Sequence, residues 1–192
     1  MTTTAVKIKH LREKIADPDF QENRGLSNEV SYYILAFAPH DQPMVSDEVL
    51  SMRQQLNRDT VGVDIVEFNL YKIMWQILDE MGISDDVLTM EKEDGIGYLV
   101  EQLNNALEMT SSENLFVQYM QQRLTSDPTV VFVTGIGDIF PLIRTHKVLN
   151  TMHQVITDRP VVFFYPGTYD NLSLSMFGES KEDNYYRAFQ IN

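Results

Sequence analysis

Residues 129–167, TVVFVTGIGDIFPLIRTHKVLNTMHQVITDRPVVFFYPG, carry the pattern that decides the fold. The two ends, TVVFVTG and PVVFFYPG, are continuous runs of branched and aromatic residues, which is typical of strands buried on both faces of a sheet. The middle, PLIRTHKVLNTMHQVI, spaces its apolar residues as a helix does and accepts Pro141 in its first turn. A strand, a helix and a strand within somewhat over ~30 residues predict a parallel crossover unit.

The first half of the chain follows the same alternation less cleanly. AVKIKHLREKIADPDF predicts an amphipathic helix that ends near Pro18, and VSYYILAFAPHDQP predicts a strand that stops at Pro39. SDEVLSMRQQLNR predicts a helix with Ser46 as its N-cap. VGVDIVEFN predicts a second strand, followed by the helix LYKIMWQILDEMG, which Gly82 ends.

Between the two strand-rich halves the pattern is helical. The block is interrupted at Gly95–Gly97 and again at TSSE, where Ser111 or Ser112 is expected to cap a new helix. Near the end, YYRAFQI is expected to form an edge strand. Together these elements predict an α/β fold: a single domain over 1–192 with a mainly parallel, Rossmann-like sheet of about five strands flanked by helices.

Composition narrows the class of protein. The net charge of −13 argues against direct binding to nucleic acid or to an anionic membrane surface. No apolar run approaches the ~20 residues of a membrane span, so we expect a cytoplasmic protein. The chain has no cysteine, which excludes disulfides and thiol nucleophiles.

The acidity is concentrated in the helical block. Residues 79–113 hold ten carboxylates and a single lysine, Lys92. Such a run is most often a solvated helical face. The alternatives are a docking surface for a basic partner and a mimic of DNA.

Three predicted strands are each followed by an aspartate: Asp41, Asp138 and Asp170. If these strands are parallel neighbours, the three carboxylates lie at one edge of the sheet, with Arg144 on the adjoining helix. Such a group could bind a divalent cation or perform acid–base chemistry. Aspartate after a strand is also a common turn former and helix cap, and Arg144 is more simply explained by an ion pair.

Phosphate-binding motifs are incomplete. Gly135 and Gly137 form a G-x-G, but Phe140 stands where a dinucleotide fingerprint needs its third glycine, and the chain has no P-loop string. The glycines are better explained by a tight turn from strand to helix. Local motifs of serine hydrolases and zinc proteases are missing as well, so we predict no cofactor.

The segments VFVTGIGDIFPLIRTHKVLNTMH, RPVVFFYPGTYDNLSLSMFG, NYYRAF and NEVSYYILAFAPHD resemble the BrxB component of bacteriophage exclusion (BREX) defence systems. The resemblance extends from about Leu11 to Phe189. It implies a bacterial system that marks self DNA by methylation and blocks phage replication. It further implies a non-enzymatic component that associates with the phosphatase-like protein PglZ and, in larger assemblies, with the ATPase BrxC and the methyltransferase PglX. The resemblance brings no catalytic residues with it. Six residues match the family's signature: Gly135, Asp138, Pro141, Arg144, Gly167 and Asp170.

The sequence therefore favours an adaptor subunit of a BREX complex. The alternative is a divergent nucleotide- or metal-binding enzyme that uses the loops at the carboxyl edge of the sheet. The candidate functional or interface residues are Asp41, Gly135, Gly137, Asp138, Pro141, Arg144, Gly167 and Asp170.

Overall fold

A computed structural model describes residues 2–22, 31–143, 145–170, 174–176, 180–182 and 188–192. Over these residues the chain forms two compact units. The sheet unit comprises Met1–Phe68, Thr125–Thr134 and Thr157–Asn192, and the helical unit comprises Asn69–Leu124 and Gly135–Ile156. That the whole chain is a single domain stays a prediction. None of the helices in the described ranges is both long and apolar enough to cross a membrane.

The sheet unit is built on a mainly parallel sheet. Its described strands are β1 (Tyr32–Phe37), β2 (Asp64–Asn69), β3 (Thr129–Thr134), β4 (Val161–Tyr169), β5 (Leu174–Met176), β6 (Ser180–Glu182) and β7 (Phe189–Gln190). The strand order is β2-β3-β4-β1-β7, and β1 runs parallel to both β4 and β7, as β3 does to β4. A short antiparallel extension adds β5 to β4 and β6 to β5. The predicted α/β fold with a mainly parallel sheet flanked by helices is confirmed, and its main path has the five strands expected.

The central strands are apolar because they are buried along most or all of their length. Every residue of β1 and β3 is buried, and so are the first six residues of β4. One face of the sheet belongs to a core cluster that includes Leu35, Phe132 and Phe164. The rings of Phe132 and Phe164 meet edge to face with their centroids 4.9 Å apart.

Helices of the sheet unit supply the rest of this core. They are α1 (Thr4–Ile15), α2 (Pro18–Gln21), α3 (Gln42–Gln55) and α4 (Arg58–Val61). Ile8, Leu11 and Ile15 recur at helical spacing along α1 and are all buried, as predicted for an amphipathic helix. Arg12 of the same helix donates to Glu48 of α3 at 2.8 Å, which ties the two helices together outside the core.

The helical unit contains the acidic block. Its described helices are α5 (Leu70–Met81), α6 (Ser84–Asp94), α7 (Ile96–Ala106), α8 (Leu115–Arg123), α9 (Ile136–Ile139) and α10 (Thr145–Val155). Gly82 ends α5 in the left-handed conformation, as predicted. The helical block lies between β2 and β3 in the chain, also as predicted.

Three predicted helix starts are wrong. α3 begins at Gln42 with Asp41 at its N-cap, because Pro43 is suited to a first turn, so Ser46 lies inside the helix. The helix expected at Pro141 begins only at Thr145, because the four-residue α9 takes up the chain directly after β3. α8 is capped by Asn114 rather than by Ser111 or Ser112, since Asn114 accepts a hydrogen bond from the Val117 amide.

Candidate functional site

The carboxyl ends of β1 and β4 lie side by side and lead away in different directions. Phe37 pairs with Pro166 at the end of the parallel ladder. After β1, the chain turns through a short 3-10 helix, Pro39–Asp41, into α3, whereas the end of β4 pairs with the antiparallel β5. Ligands of open parallel sheets bind beyond the carboxyl ends of the strands.

A cleft of about 1040 Å³ opens at this point, and all of its lining residues belong to the sheet unit. Three polar groups reach it from α1 and the turn after β1: Lys7, His40 and Asp41. Its other polar side chains carry hydroxyls and amides, namely Thr2, Thr3, Thr4, Thr168, Tyr169, Ser175, Gln190 and Asn192. The cleft is therefore lined by many neutral hydrogen-bonding groups and few charges.

Asp41 is positioned by the first turn of α1. Its Oδ2 accepts a hydrogen bond of 2.6 Å from the Thr4 hydroxyl, and its Oδ1 lies 3.4 Å from Nε2 of His40. The Asp41 side chain is 27% exposed and the His40 side chain 83% exposed. The carboxylate is thus held in place while one side of it faces solvent.

Lys7 lies one turn further along α1 and is half-buried. Its ammonium donates to the carbonyl oxygen of Ala36 at 2.7 Å, at the carboxyl end of β1. Burial lowers the pKa of Lys7, because the charged form loses part of its hydration. Lys7 makes no salt bridge with a carboxylate of the described residues.

Gly167 is required by the close approach of β5. A methyl group at this position would stand 2.8 Å from Cε1 of Tyr165 and closer still to the carbonyl oxygen of Ser175. A side chain here would push β5 away from β4, so the glycine shapes one wall of the cleft.

The remaining predicted residues have other positions. Asp170 follows β4 directly and is exposed, and it is not among the residues that line the cleft. Four of them belong to the helical unit: Gly135 is the N-cap of α9, Gly137 and Asp138 lie within α9, and Pro141 follows it. Arg144 lies outside the described residues. Of the eight predicted residues, the cleft thus contains Asp41 and Gly167.

Asp138 is exposed in the first turn of α9, where a carboxylate complements the helix dipole. Within the described ranges, no group of three or more His, Asp and Glu side chains is arranged to hold a metal ion.

Lys7 and Thr4 are two residues of the cleft that sequence reasoning missed. Both lie on a helix that was predicted only from its apolar face. One signal in the sequence could have found them. Lys7 follows Thr4 by three residues, and residues three apart are neighbours on the surface of a helix.

Comparison with known proteins places the chain in a family. The model of the family described as "BREX protein BrxB" matches residues 66–191. The chain belongs to the BrxB family. A BREX protein BrxB of Bacillus cereus (strain H3081.97) is 40% identical over 185 residues, covering 96% of this chain and 95% of that protein. A BREX protein BrxB of Escherichia coli O9:H4 (strain HS) is 25% identical over 185 residues, covering 96% and 90%. No solved structure matches the chain.

Membership in the BrxB family makes this chain a BREX protein, as the resemblance of its sequence predicted. The family match begins inside β2 and continues past the last strand, so it includes the whole helical unit and β4, one of the two strands that flank the cleft. Lys7, His40 and Asp41 precede the range that the family model matches.

Proposed function

We propose that this BrxB-family chain is a non-enzymatic assembly subunit of a bacterial BREX anti-phage defence complex. Its main partner is PglZ, and BrxC and PglX join in larger assemblies. Family membership supports its place in a BREX system. The observation that carries the docking role is a helix of the helical unit that buries almost none of its surface.

That helix is α6. Of its 11 residues, only Val87 is buried, whereas α5 beside it in the chain buries five side chains. Helices in globular proteins are held mainly by packing of an apolar face, so a helix with one buried residue gains little from its own unit. Contact with a partner would supply the missing burial.

Exposed apolar side chains concentrate around α6. Among the described residues, eight large apolar side chains are exposed, and four of them lie between residues 81 and 98. These four are Met81, Leu88, Ile96 and Tyr98. Leu88, in the middle of α6, is 60% exposed. Grouped exposed apolar residues mark interaction sites more often than scattered ones do.

The charge around these residues indicates the chemistry of the partner. α6 carries one lysine and five carboxylates, namely Asp85, Asp86, Glu91, Glu93 and Asp94. None of these carboxylates forms a salt bridge with a lysine or arginine of the described residues. Helical spacing places Leu88 beside Asp85 and Glu91, so an exposed apolar side chain has carboxylates next to it. Such a surface complements a protein surface with apolar anchors and basic residues around them. The occupant we propose is such a surface on PglZ.

Co-purification tests the proposal. We expect tagged wild-type chain, co-expressed with PglZ, BrxC and PglX of its own system, to retain PglZ through size-exclusion chromatography. Leu88→Asp combined with Ile96→Asp should lower PglZ retention by at least about tenfold, because buried charge at the centre of an interface is costly.

The matched control is Leu50→Asp on α3, which replaces another exposed leucine (52% exposed) with the same charge. This variant should retain PglZ like the wild type. Failure of the wild-type chain to bind any other BREX protein contradicts the assembly role. If all variants retain PglZ equally, the chain still has an assembly role, but α6 is not the surface that binds PglZ.

The non-enzymatic part of the proposal is tested separately. The purified chain should show no nuclease, phosphatase or NTPase activity above that of its Asp138→Ala variant. Activity of the wild type that is lost in a folded Asp138→Ala variant would contradict the proposal and support the alternative of a divergent enzyme.

A further inference from the structure

We propose that the cleft at the carboxyl ends of β1 and β4 binds a small sugar phosphate moiety, either free or as part of a nucleotide. This inference is independent of docking through α6, because every residue that lines the cleft lies in the sheet unit. It concerns binding only and requires no catalytic group.

The ammonium of Lys7 forms no salt bridge with a carboxylate of the residues that the structure describes, which indicates an anionic ligand. Its ammonium is half-buried, its pKa is lowered by burial, and its hydrogen-bond partner is the neutral carbonyl of Ala36. A partly desolvated charge without a counter-charge is unfavourable, and a bound anion compensates it. Lysine commonly binds phosphate in this way, as a point charge.

The first turn of α1 adds to the positive end of the cleft. Thr2, Thr3 and Thr4 line the cleft at the start of this 12-residue helix. The N-terminal amides of a helix carry partial positive charge, and hydroxyl groups donate hydrogen bonds to phosphate oxygens. The Thr4 hydroxyl already donates to Asp41, so the further donors beside Lys7 are the hydroxyl groups of Thr2 and Thr3.

Asp41 and His40 supply the groups that bind the sugar hydroxyls. The Asp41 carboxylate already accepts a hydroxyl hydrogen bond from Thr4, and His40 lies 3.4 Å from its other oxygen. A carboxylate beyond a strand end repels phosphate but accepts hydrogen bonds from sugar hydroxyls, as acidic residues do in dinucleotide-binding sheets. The ligand is thus oriented with its phosphate toward Lys7 and its hydroxyls toward Asp41.

The size of the cleft fits this class of ligand. Ligand pockets usually have volumes of about 300–1,000 Å³. The cleft, at about 1040 Å³, is slightly larger than this range and has room for a sugar phosphate or a nucleotide. Its walls combine backbone and apolar atoms of Ala36, Phe37 and Pro39 with the polar groups above, which suits a ligand of mixed character.

Isothermal titration calorimetry of the full chain without divalent metal ions tests the proposal. The probes are AMP, ribose 5-phosphate, adenosine and inorganic phosphate. We expect AMP, ribose 5-phosphate or both to bind. Adenosine and inorganic phosphate should bind at least about tenfold more weakly than the tighter of them, since each lacks one of the two recognised groups. Binding of ribose 5-phosphate would show that the sugar phosphate is sufficient for binding. Binding of AMP without binding of ribose 5-phosphate would show that the cleft also contacts the base.

Lys7→Gln should weaken the binding of the phosphorylated probe by at least about tenfold, because a charge-assisted contact is lost. Lys9→Gln is the matched control on the same helix, since Lys9 is exposed and only 3.9 Å from Glu13 in a surface pair. Asp41→Asn should weaken ribose 5-phosphate more than inorganic phosphate. Thermal melts of the unliganded variants verify that each one folds.

Amide chemical shifts of the wild-type chain give a test that needs no variant. Addition of the binding probe should shift signals of Thr3, Thr4 and Thr168 and leave those of α6 unchanged. The proposal is overturned if neither phosphorylated probe binds at millimolar concentration, if Lys7→Gln and Lys9→Gln weaken binding equally, or if the shifts lie outside the cleft.

Discussion

Gly135 shows how a single residue fixes the exit from β3. It has a φ of +71°, and a methyl group on it would stand 2.8 Å from Cγ of Asn69. Asn69 is not free to move, because its side chain caps α5 by accepting from the Lys72 amide at 3.1 Å. The left-handed backbone and the close approach both require glycine.

We therefore expect Gly135→Ala to lower the free energy of unfolding by about 1–3 kcal/mol, from backbone strain and the disturbed cap. Chemical denaturation measures this. The control is Gly97→Ala inside α7, where a methyl group would have no neighbour within 4 Å. This control should stabilise the protein by about 0.5–1 kcal/mol, because alanine favours a helix over glycine. Equal stability of Gly135→Ala and wild type would refute the structural role of Gly135.

The same residue shows what the sequence could and could not reveal at this scale. The G-x-G pair predicted a turn from strand to helix, and Gly135 does lie between β3 and α9. The pattern could not reveal Asn69, because that contact joins residues far apart in the chain. Lys7 was missed for a related reason: nothing in the local pattern of α1 indicates that the end of β1 lies beside it.

At the scale of elements, the start of α8 depends on a buried asparagine. Asn114 is 0% exposed; its Oδ1 accepts from the Val117 amide at 3.2 Å, and its Nδ2 donates to the Thr151 hydroxyl of α10 at 3.0 Å. One side chain thus caps one helix and attaches it to another. The sequence TSSEN offers several capping residues, and only the tertiary contact with Thr151 selects among them.

Asn114→Ala should lower the free energy of unfolding by about 2–4 kcal/mol, because it removes a cap and leaves the Val117 amide without its partner. Ser112→Ala, in the same segment, should change it by less than about 0.5 kcal/mol, since Ser112 is exposed. Thermal or urea unfolding of both variants makes the comparison. A loss at Ser112 as large as that at Asn114 would contradict this assignment of the cap.

At the scale of the whole molecule, the alternation of strands and helices predicted the parallel sheet because buried strands need continuous apolar runs. VVFV in β3 and VVFFY in β4 have that property, and both are buried throughout. The positions of charged groups did not follow from the sequence in the same way. The sequence gives the position of each carboxylate along the chain, but the distances between carboxylates in space depend on how the helices and strands pack.

The concentration of negative charge gives the last prediction. Five exposed carboxylates of α6 are neutralised together: Asp85→Asn, Asp86→Asn, Glu91→Gln, Glu93→Gln and Asp94→Asn. The net charge of −13 opposes compaction, and the five groups lack salt-bridge partners among the described residues. Their removal should therefore leave the free energy of unfolding within about 0.5 kcal/mol of the wild type or raise it.

Retention of PglZ should fall in this variant, and the remaining retention should no longer depend on the salt concentration. The wild-type complex should weaken as salt is added, because salt screens charges that lie further apart than the Debye length, about 8 Å at 0.15 M. The control neutralises the same number of exposed carboxylates elsewhere: Glu13, Asp19, Asp47, Asp59 and Glu113. If both variants lose PglZ equally, total charge rather than α6 governs association. If the α6 variant instead releases a BREX protein that then binds DNA, the acidic face of α6 acts as a DNA mimic. In that case the acidic face of the wild-type chain occupies the nucleic-acid site of that BREX protein.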